Sequence, residues 1–294
     1  MDWKSRRIEA ILEQALVEDK ATSDVTTAVT IDPALRASAT ILAKQDCVIS
    51  GLGCIPRFLE IFARLDKRNS GRYEVVSHPE IFDAVRVKKG QAIAVIRHNA
   101  RVILACERVI LNLMQHMSGI ATVTRQYVDA VAGTKTKVLD TRKTVPGLRV
   151  LDKYAVCCGG GENHRLDLSD GILIKNNHIS LGGGIEKVLQ RAHENRAAGQ
   201  TIDIEVRTFD ELRLALDNGA ESLLLDNMSP GDVKKAVAMV QERGGKIPVE
   251  ASGGIVLDNI RKYALAGVDY ISVGALTHSA PAVDLSMRIT AEIY

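Results

Sequence analysis

SLLLDNMSPGDVKKAVAMVQERGGKIPVEASGG, residues 222–254, is the stretch on which the fold turns. Residues 222–225 form a short apolar run of the kind buried in a parallel sheet, and the run stops at the polar pair Asp226-Asn227. Residues 230–243 carry a helical pattern, and residues 247–250 form a second short run that enters Ala251-Ser252-Gly253-Gly254. Strand, loop, helix and strand in this order make a βα repeat. The alternation extends to both sides. Strands are predicted at 137–139, 172–174, 202–206 and 270–273, and helices at 148–158, 185–198, 209–218 and 257–266. Gly159, Gly199, Gly219 and Gly267 each follow a helix, where a left-handed cap is expected. Such alternation implies a parallel sheet covered by helices. Residues 119–278 hold about six units, too few for an eight-stranded barrel, so an incomplete or tightly built barrel is expected rather than a dinucleotide-binding sheet.

The first part of the chain reads differently. Strand-like runs at 37–42, 48–50, 73–77 and 92–96 mix with helical patterns at 8–17 and 56–65, which predicts an α+β domain with antiparallel strands. A long helical stretch over 101–131 leads out of it. The whole chain is therefore α/β, with a domain at 1–117 and a barrel domain at 118–278. A chain of 294 residues suits two domains and can bury a large core without metal or disulfide staples.

Lys+Arg total 38 and Asp+Glu 36, a formal net charge of +2, which argues against a general nucleic-acid binder or a basic membrane-surface protein. No stretch approaches the apolar length of a membrane span, and the charged start Met1-Asp2-Trp3-Lys4-Ser5-Arg6-Arg7 has no signal core, so a cytoplasmic protein is expected. Cys47, Cys54, Cys106, Cys157 and Cys158 show no metal-ligand spacing and read as small buried hydrophobes of a reducing compartment. Gly51-Leu52-Gly53 resembles the start of a dinucleotide fingerprint, but Pro56 replaces the third glycine and no βαβ unit follows.

The chemistry lies at the carboxyl ends of the predicted strands, the face on which βα-barrel sites are built. Those ends read Asp140-Thr141-Arg142-Lys143, Lys175-Asn176-Asn177-His178, Glu205, Asp226-Asn227, Glu250-Ala251-Ser252-Gly253-Gly254 and Gly274-Ala275. Ser252, Gly253, Gly254 and the neighbouring Gly274 form a phosphate-cradle candidate, because glycines let backbone N–H groups approach an anion and the following helix adds its positive end. A plain tight turn would give the same residues. Arg142, Lys143, Lys175, His164 and Arg165 suit a substrate with several negative charges, unless they form a solvated rim paired with Asp140, Asp152 and Asp167. Glu205, Asp226 and Glu250 end apolar runs and must meet water, a cation or hydroxyls, so they suit water-bridged Mg²⁺, sugar hydroxyls or the nearby lysines. His178 fits strand-end packing better than catalysis.

Taken in order, these residues resemble one family, quinolinate phosphoribosyltransferase. The matching segments are Asp140-Thr141-Arg142-Lys143-Thr144-Val145-Pro146-Gly147-Leu148-Arg149, Asp152-Lys153-Tyr154-Ala155-Val156 and Gly159-Gly160-Gly161-Glu162-Asn163-His164-Arg165. Further along they are Leu173-Ile174-Lys175-Asn176-Asn177-His178-Ile179, Leu225-Asp226-Asn227, Glu250-Ala251-Ser252-Gly253-Gly254-Ile255 and Ser272-Val273-Gly274-Ala275-Leu276-Thr277. Glu107-Arg108-Val109-Ile110-Leu111-Asn112 extends the likeness into the first domain. The chain departs from the family pattern at Ala21 and Ser23, where glycines are usual, and at Asp167, where a glycine is common.

The resemblance implies transfer of phosphoribosyl from phosphoribosyl pyrophosphate to quinolinate with decarboxylation, giving nicotinate mononucleotide, pyrophosphate and CO₂ for NAD biosynthesis. It implies Arg142, His164, Arg165 and Lys175 on quinolinate, with Arg108 from the partner subunit. It places Lys143 and Lys175 at the pyrophosphate, Glu205 and Asp226 at Mg²⁺ and the ribose, and Ser252, Gly253, Gly254 and Gly274 at the 5′-phosphate. Lys143, Lys175, Glu205 and Asp226 are then the catalytic set, with Mg²⁺ and no organic cofactor. It further implies an N-terminal α/β sandwich, an incomplete barrel, a tail at 279–294 returning to the first domain, and a homodimer or a hexamer built as a trimer of dimers. A phosphate-binding βα-barrel isomerase or lyase, a molybdenum-transport-associated relative of the same fold and a non-catalytic anion-binding module are the alternatives.

Overall fold

The computed structural model describes residues 1–67, 71–245 and 247–292, which divide into two compact units. Unit 1 comprises residues 1–123, 145–160 and 279–294, and unit 2 comprises 124–144 and 161–278. The last two residues of the C-terminal tail, 293–294, lie outside the described residues.

Unit 1 contains α1 (Arg6–Glu18), α2 (Val25–Thr30), β1 (Arg36–Ala43), β2 (Cys47–Val48), α3 (Cys54–Leu65), β3 (Glu74–Val76), β4 (Arg86–Val87) and β5 (Ala92–Asn99). The helix α4 (Ala100–Ala130) starts in unit 1 and carries the chain into unit 2. A four-stranded antiparallel sheet closes with the C-terminal strand, here β12 (Leu285–Ala291), in the order β12-β1-β5-β3. In β1 every second residue is buried, Ala37, Ala39, Ile41 and Ala43, so one face of the sheet lies on the core. Against it pack Ile8, Leu12 and Leu16 of α1 and Phe58, Ile61 and Phe62 of α3. Residues 145–160, expected from sequence in the second domain, belong to unit 1. Val150 packs on its core, Cys158 clusters with Val48 and Ala121, and the Tyr154 hydroxyl donates to Asp83 at 2.6 Å. The Gly51-Leu52-Gly53 segment wraps a carboxylate of its own chain, since the N–H groups of Gly51 and Leu52 donate to Asp83 Oδ1 at 2.9 and 3.0 Å. That segment has a structural role, in line with the missing third glycine. Four of the five cysteines are buried, but Cys157 is exposed at the end of the helix over 149–158.

Between β5 and β12 the numbering runs β6 (Lys137–Leu139), α5 (Arg149–Cys158, in unit 1), β7 (Ile172–Ile174), α6 (Asn176–Gly182), α7 (Ile185–Asn195), β8 (Ile202–Val206) and α8 (Phe209–Asp217). It continues with β9 (Ser222–Asp226), α9 (Pro230–Glu242), β10 (Val249–Ser252), α10 (Ile260–Leu265), β11 (Tyr270–Ser272) and α11 (Ala275–His278). Unit 2 is a single six-stranded parallel sheet in the order β6-β11-β10-β9-β8-β7. No ladder joins β7 to β6 among the described residues. Glu162 bridges Leu139 on the outer side of β6, and its N–H donates to Val138 O at 2.9 Å. This is the parallel architecture with fewer than eight strands that the repeat count predicts.

Three expectations shift. The strand at 247–250 begins two residues later, because Pro248 has no N–H to place in a ladder. The helix expected from 257 begins at Ile260, because the Asn259 side chain accepts from Val256 N–H at 2.8 Å and donates to Gly254 O at 3.1 Å, closing a turn first. After α5 the left-handed residue is Gly160, while Gly159 remains right-handed.

Candidate active site

In a strand, side chains two residues apart share a face. The register pairs Glu205 with Leu224, Leu224 with Glu250, and Asp226 with Ser252. Asp203, Glu205, Leu224, Asp226, Glu250 and Ser252 therefore stand on one face of the sheet. A cavity of about 610 Å³ opens there, at the carboxyl ends of the strands. Of the residues predicted from sequence, Arg142, Lys143, His164, Arg165, Lys175, Glu205, Asp226, Ser252, Gly253, Gly254 and Gly274 all line it. Arg108 does not; it is exposed on α4 in unit 1.

One side of the cavity is cationic. Arg142 and Lys143 follow β6, and Lys175 follows β7. His164 and Arg165 follow the Glu162 bridge, where the fully buried Asp140 accepts the His164 N–H at 2.9 Å. Burial and the neighbouring Arg142 guanidinium push the Arg165 pKa down, opposed by Asp203 and Asp170. Two guanidiniums lining one cavity suit an anion bound between them. The His164 Nδ1 accepts the Arg165 N–H at 2.7 Å, and its Nε2 lies 3.4 Å from the Glu250 carboxylate. His178 is exposed, and its Nδ1 accepts the Lys175 N–H at 2.8 Å to cap α6, in place of the strand-end packing expected from sequence.

The other side is acidic and glycine-rich. Glu205 is 9% exposed, and the Asp226 side chain is 16% exposed. Arg207 bridges them, with Nη2 3.2 Å from Glu205 Oε1 and Nε 3.1 Å from Asp226 Oδ2. Burial raises the Asp203 pKa; the Ser222 hydrogen bond, His164 and Arg165 work against this, and the Glu250 charge adds to it. Glu250 is 7% exposed, and its Oε1 has no partner among the described residues. Beyond these carboxylates the β10 loop turns through Gly253 and Gly254, both in the left-handed region at φ +91° and +62°. A Cβ at Gly253 would lie 2.5 Å from Asn227 Oδ1, whereas one at Gly254 would meet nothing within 4 Å. The loop is therefore tight against β9 on one side and open on the other, the shape of a backbone anion cradle. Lys143 and His278 flank Gly274, each about 3.2 Å from where a Cβ would sit.

Sequence inspection missed Arg207, Asp203 and His278. Asp203 and Arg207 stand two residues before and after Glu205, so strand alternation alone could have placed all three together. His278 ends the one-turn helix that follows Gly274. Among the described residues no group of three or more His, Cys, Asp or Glu is arranged to hold a metal ion. The buried Glu205 and the half-buried Asp226 offer oxygen ligands alone, which fits a Mg²⁺ that takes one or two carboxylates and completes its shell with water and substrate phosphates.

Comparison with known proteins agrees with this geometry. Residues 24–118 match the family described as "Quinolinate phosphoribosyl transferase, N-terminal domain", and residues 120–288 match "Quinolinate phosphoribosyl transferase, C-terminal domain". A Mycobacterium leprae protein named nicotinate-nucleotide pyrophosphorylase [carboxylating] is 40% identical over 279 residues, covering 95% of each chain. A Bacillus subtilis protein named probable nicotinate-nucleotide pyrophosphorylase [carboxylating] is 38% identical over 284 residues, covering 97% of this chain and 94% of its own. The crystal structure of NadC from Streptococcus pyogenes superposes with a TM-score of 0.90 at 34% identity over the full length of both chains. With both of its domains matched and its strand-end residues gathered in one cavity, the chain belongs to the quinolinate phosphoribosyltransferase family.

Proposed function

We propose that the chain is a carboxylating nicotinate-nucleotide pyrophosphorylase of NAD biosynthesis. It joins quinolinate to phosphoribosyl pyrophosphate and releases pyrophosphate and CO₂. The observation that carries this reading is the pairing, in one cavity, of two guanidiniums (Arg142 and Arg165) with a glycine cradle at Ser252-Gly253-Gly254. The first calls for an acceptor with more than one carboxylate, and the second calls for a phosphate.

In this reading Arg142, Arg165, Lys175 and the Nε2–H of His164 hold the two quinolinate carboxylates. The loop at 252–254 and Gly274 hold the 5′-phosphate. Lys143 and Lys175 stand at the pyrophosphate and favour its departure, because preorganised cations act most strongly on charge that develops in the transition state. Glu205 and Asp226 hold the ribose as positive charge grows at its anomeric carbon. They would also ligate Mg²⁺, which when bound neutralises charge on the departing pyrophosphate. The pyridine nitrogen attacks the anomeric carbon. The resulting pyridinium stabilises the carbanion left when the adjacent carboxylate leaves as CO₂, and a proton takes its place, so no organic cofactor is required.

The same reading makes the enzyme a homodimer, or a trimer of dimers, in which the exposed Arg108 of one subunit completes the partner's site. It assigns the chemistry to the barrel domain, 118–278, and 1–117 to the α/β sandwich. No helix among the described residues is long and apolar enough to cross a membrane, which is consistent with a cytoplasmic enzyme. The test is incubation with quinolinate, phosphoribosyl pyrophosphate and Mg²⁺. Nicotinate mononucleotide, pyrophosphate and CO₂ are expected in equal amounts, and their absence would overturn the proposal.

A further inference from the structure

Arg207 stands where a metal-binding pair of carboxylates would be expected to stay open. Its fork spans β8 and β9, with Nη2 on Glu205 Oε1 at 3.2 Å and Nε on Asp226 Oδ2 at 3.1 Å. The second Asp226 oxygen is engaged as well, accepting from Asn227 Nδ2 at 3.0 Å. Both oxygens of Asp226 and one of Glu205 are thus committed within the chain. The backbone of Arg207 is tied down, since its N–H donates to Glu211 Oε2 at 2.6 Å at the start of α8. The Arg207 side chain is 46% exposed, so it can leave the pair by rotating into water without opening any core.

A guanidinium and a divalent cation compete for the same carboxylate oxygens, and the guanidinium keeps its charge at every working pH. We propose that Arg207 is a positioning residue that closes Glu205 and Asp226 to free divalent cations, so that the metal is accepted only together with phosphoribosyl pyrophosphate. The incoming pyrophosphate supplies the counter-charge that draws the guanidinium off the pair, and the carboxylates become available at the moment the metal arrives. This rests on the assignment of Glu205 and Asp226 to the metal made above.

Mn²⁺ binding to the purified protein, followed by equilibrium dialysis so that Mn²⁺ chelated by free phosphoribosyl pyrophosphate counts equally on both sides of the membrane, separates the two ideas. Without phosphoribosyl pyrophosphate, Arg207→Gln should bind Mn²⁺ at least about tenfold more tightly than the natural chain, and Arg207→Lys should fall between them. Adding Asp226→Asn to Arg207→Gln should remove the gain. With phosphoribosyl pyrophosphate present and quinolinate omitted, the natural chain and Arg207→Gln should converge. Equal Mn²⁺ affinity of the two proteins without phosphoribosyl pyrophosphate overturns the role of Arg207. If they are equal but both bind Mn²⁺ once phosphoribosyl pyrophosphate is added, only that role is lost. If neither binds Mn²⁺ under either condition, the metal assignment of Glu205 and Asp226 falls with it.

Discussion

Unit 1 and unit 2 both bury charge, and they handle it in opposite ways. In unit 1 the buried Arg57 lies between Glu9 and Glu60. Asp152, fully buried, meets His116 Nε2 at 2.7 Å and accepts the Val145 N–H at 3.0 Å. Asp83 collects two backbone N–H groups and the Tyr154 hydroxyl. These charges close on donors or opposite charges inside the unit. In unit 2 Arg165 is set beside Arg142, Asp203 is set near Glu250, and Glu250 keeps a buried oxygen without a partner among the described residues. Folding alone does not favour like charges gathered in one cavity. The contrast marks the buried charges of unit 1 as structural and the cavity of unit 2 as a place where like charges are gathered, as a charged ligand requires.

The contrast breaks most sharply if the buried charges of unit 1 prove functional or the cavity charges of unit 2 prove structural. Arg57→Ala should cost about 3–5 kcal/mol of stability in denaturant unfolding, because it strips the shared cation from two carboxylates. Activity per folded molecule should stay within about twofold. Lys175→Ala should do the reverse. Lys175 is exposed, so the melting temperature should hold, while kcat/KM falls by about 10²–10³, the loss typical of removing one group that stabilises developing charge. A drop in melting temperature with activity retained would make Lys175 part of the scaffold.

Smaller effects sharpen the picture. Gly253→Ala drives a Cβ into Asn227 and strains a left-handed backbone, so phosphoribosyl pyrophosphate should bind about tenfold more weakly with quinolinate binding unchanged. Calorimetry with each ligand alone would check this, and equal loss of both would mean general distortion of the unit. In unit 1 the buried His98 has its pKa lowered to about 4, mainly by burial and secondarily by Arg36. The unfolded chain binds this proton more readily, so stability is full above the ordinary histidine pKa and is lost as pH falls toward 4. By pH 5.5 the loss should be about 1.4 kcal/mol relative to pH 7.5, and His98→Phe should remove that share of the pH dependence.

Much of this was legible in the chain because apolar runs end abruptly in charge. Glu205 is the last residue but one of β8, Asp226 the last of β9 and Lys175 the first past β7, which is why strand ends could be read as one face. Short elements left no such mark. α6 has no buried residue, and β2 and β4 are too short, at two residues each, to show a period. β12 does alternate, through Leu285, Met287 and Ile289, but its pairing with β1 depends on partners more than 240 residues away in the chain. The membership of 145–160 in unit 1 was hidden for the same reason, since Tyr154 finds Asp83 and Cys158 finds Val48 only after folding.

The most direct test of the central claim, that the cations gathered in the unit 2 cavity suit a substrate with two carboxylates, is the ratio of kcat/KM for quinolinate to that for nicotinate. Nicotinate lacks the carboxylate beside the ring nitrogen, so it leaves part of the Arg142, Arg165 and Lys175 set unpaired in the cavity. A site built around polar contacts rejects the analogue that lacks one, and the ratio should be at least about 10³. Comparable turnover of the two acids would contradict the account.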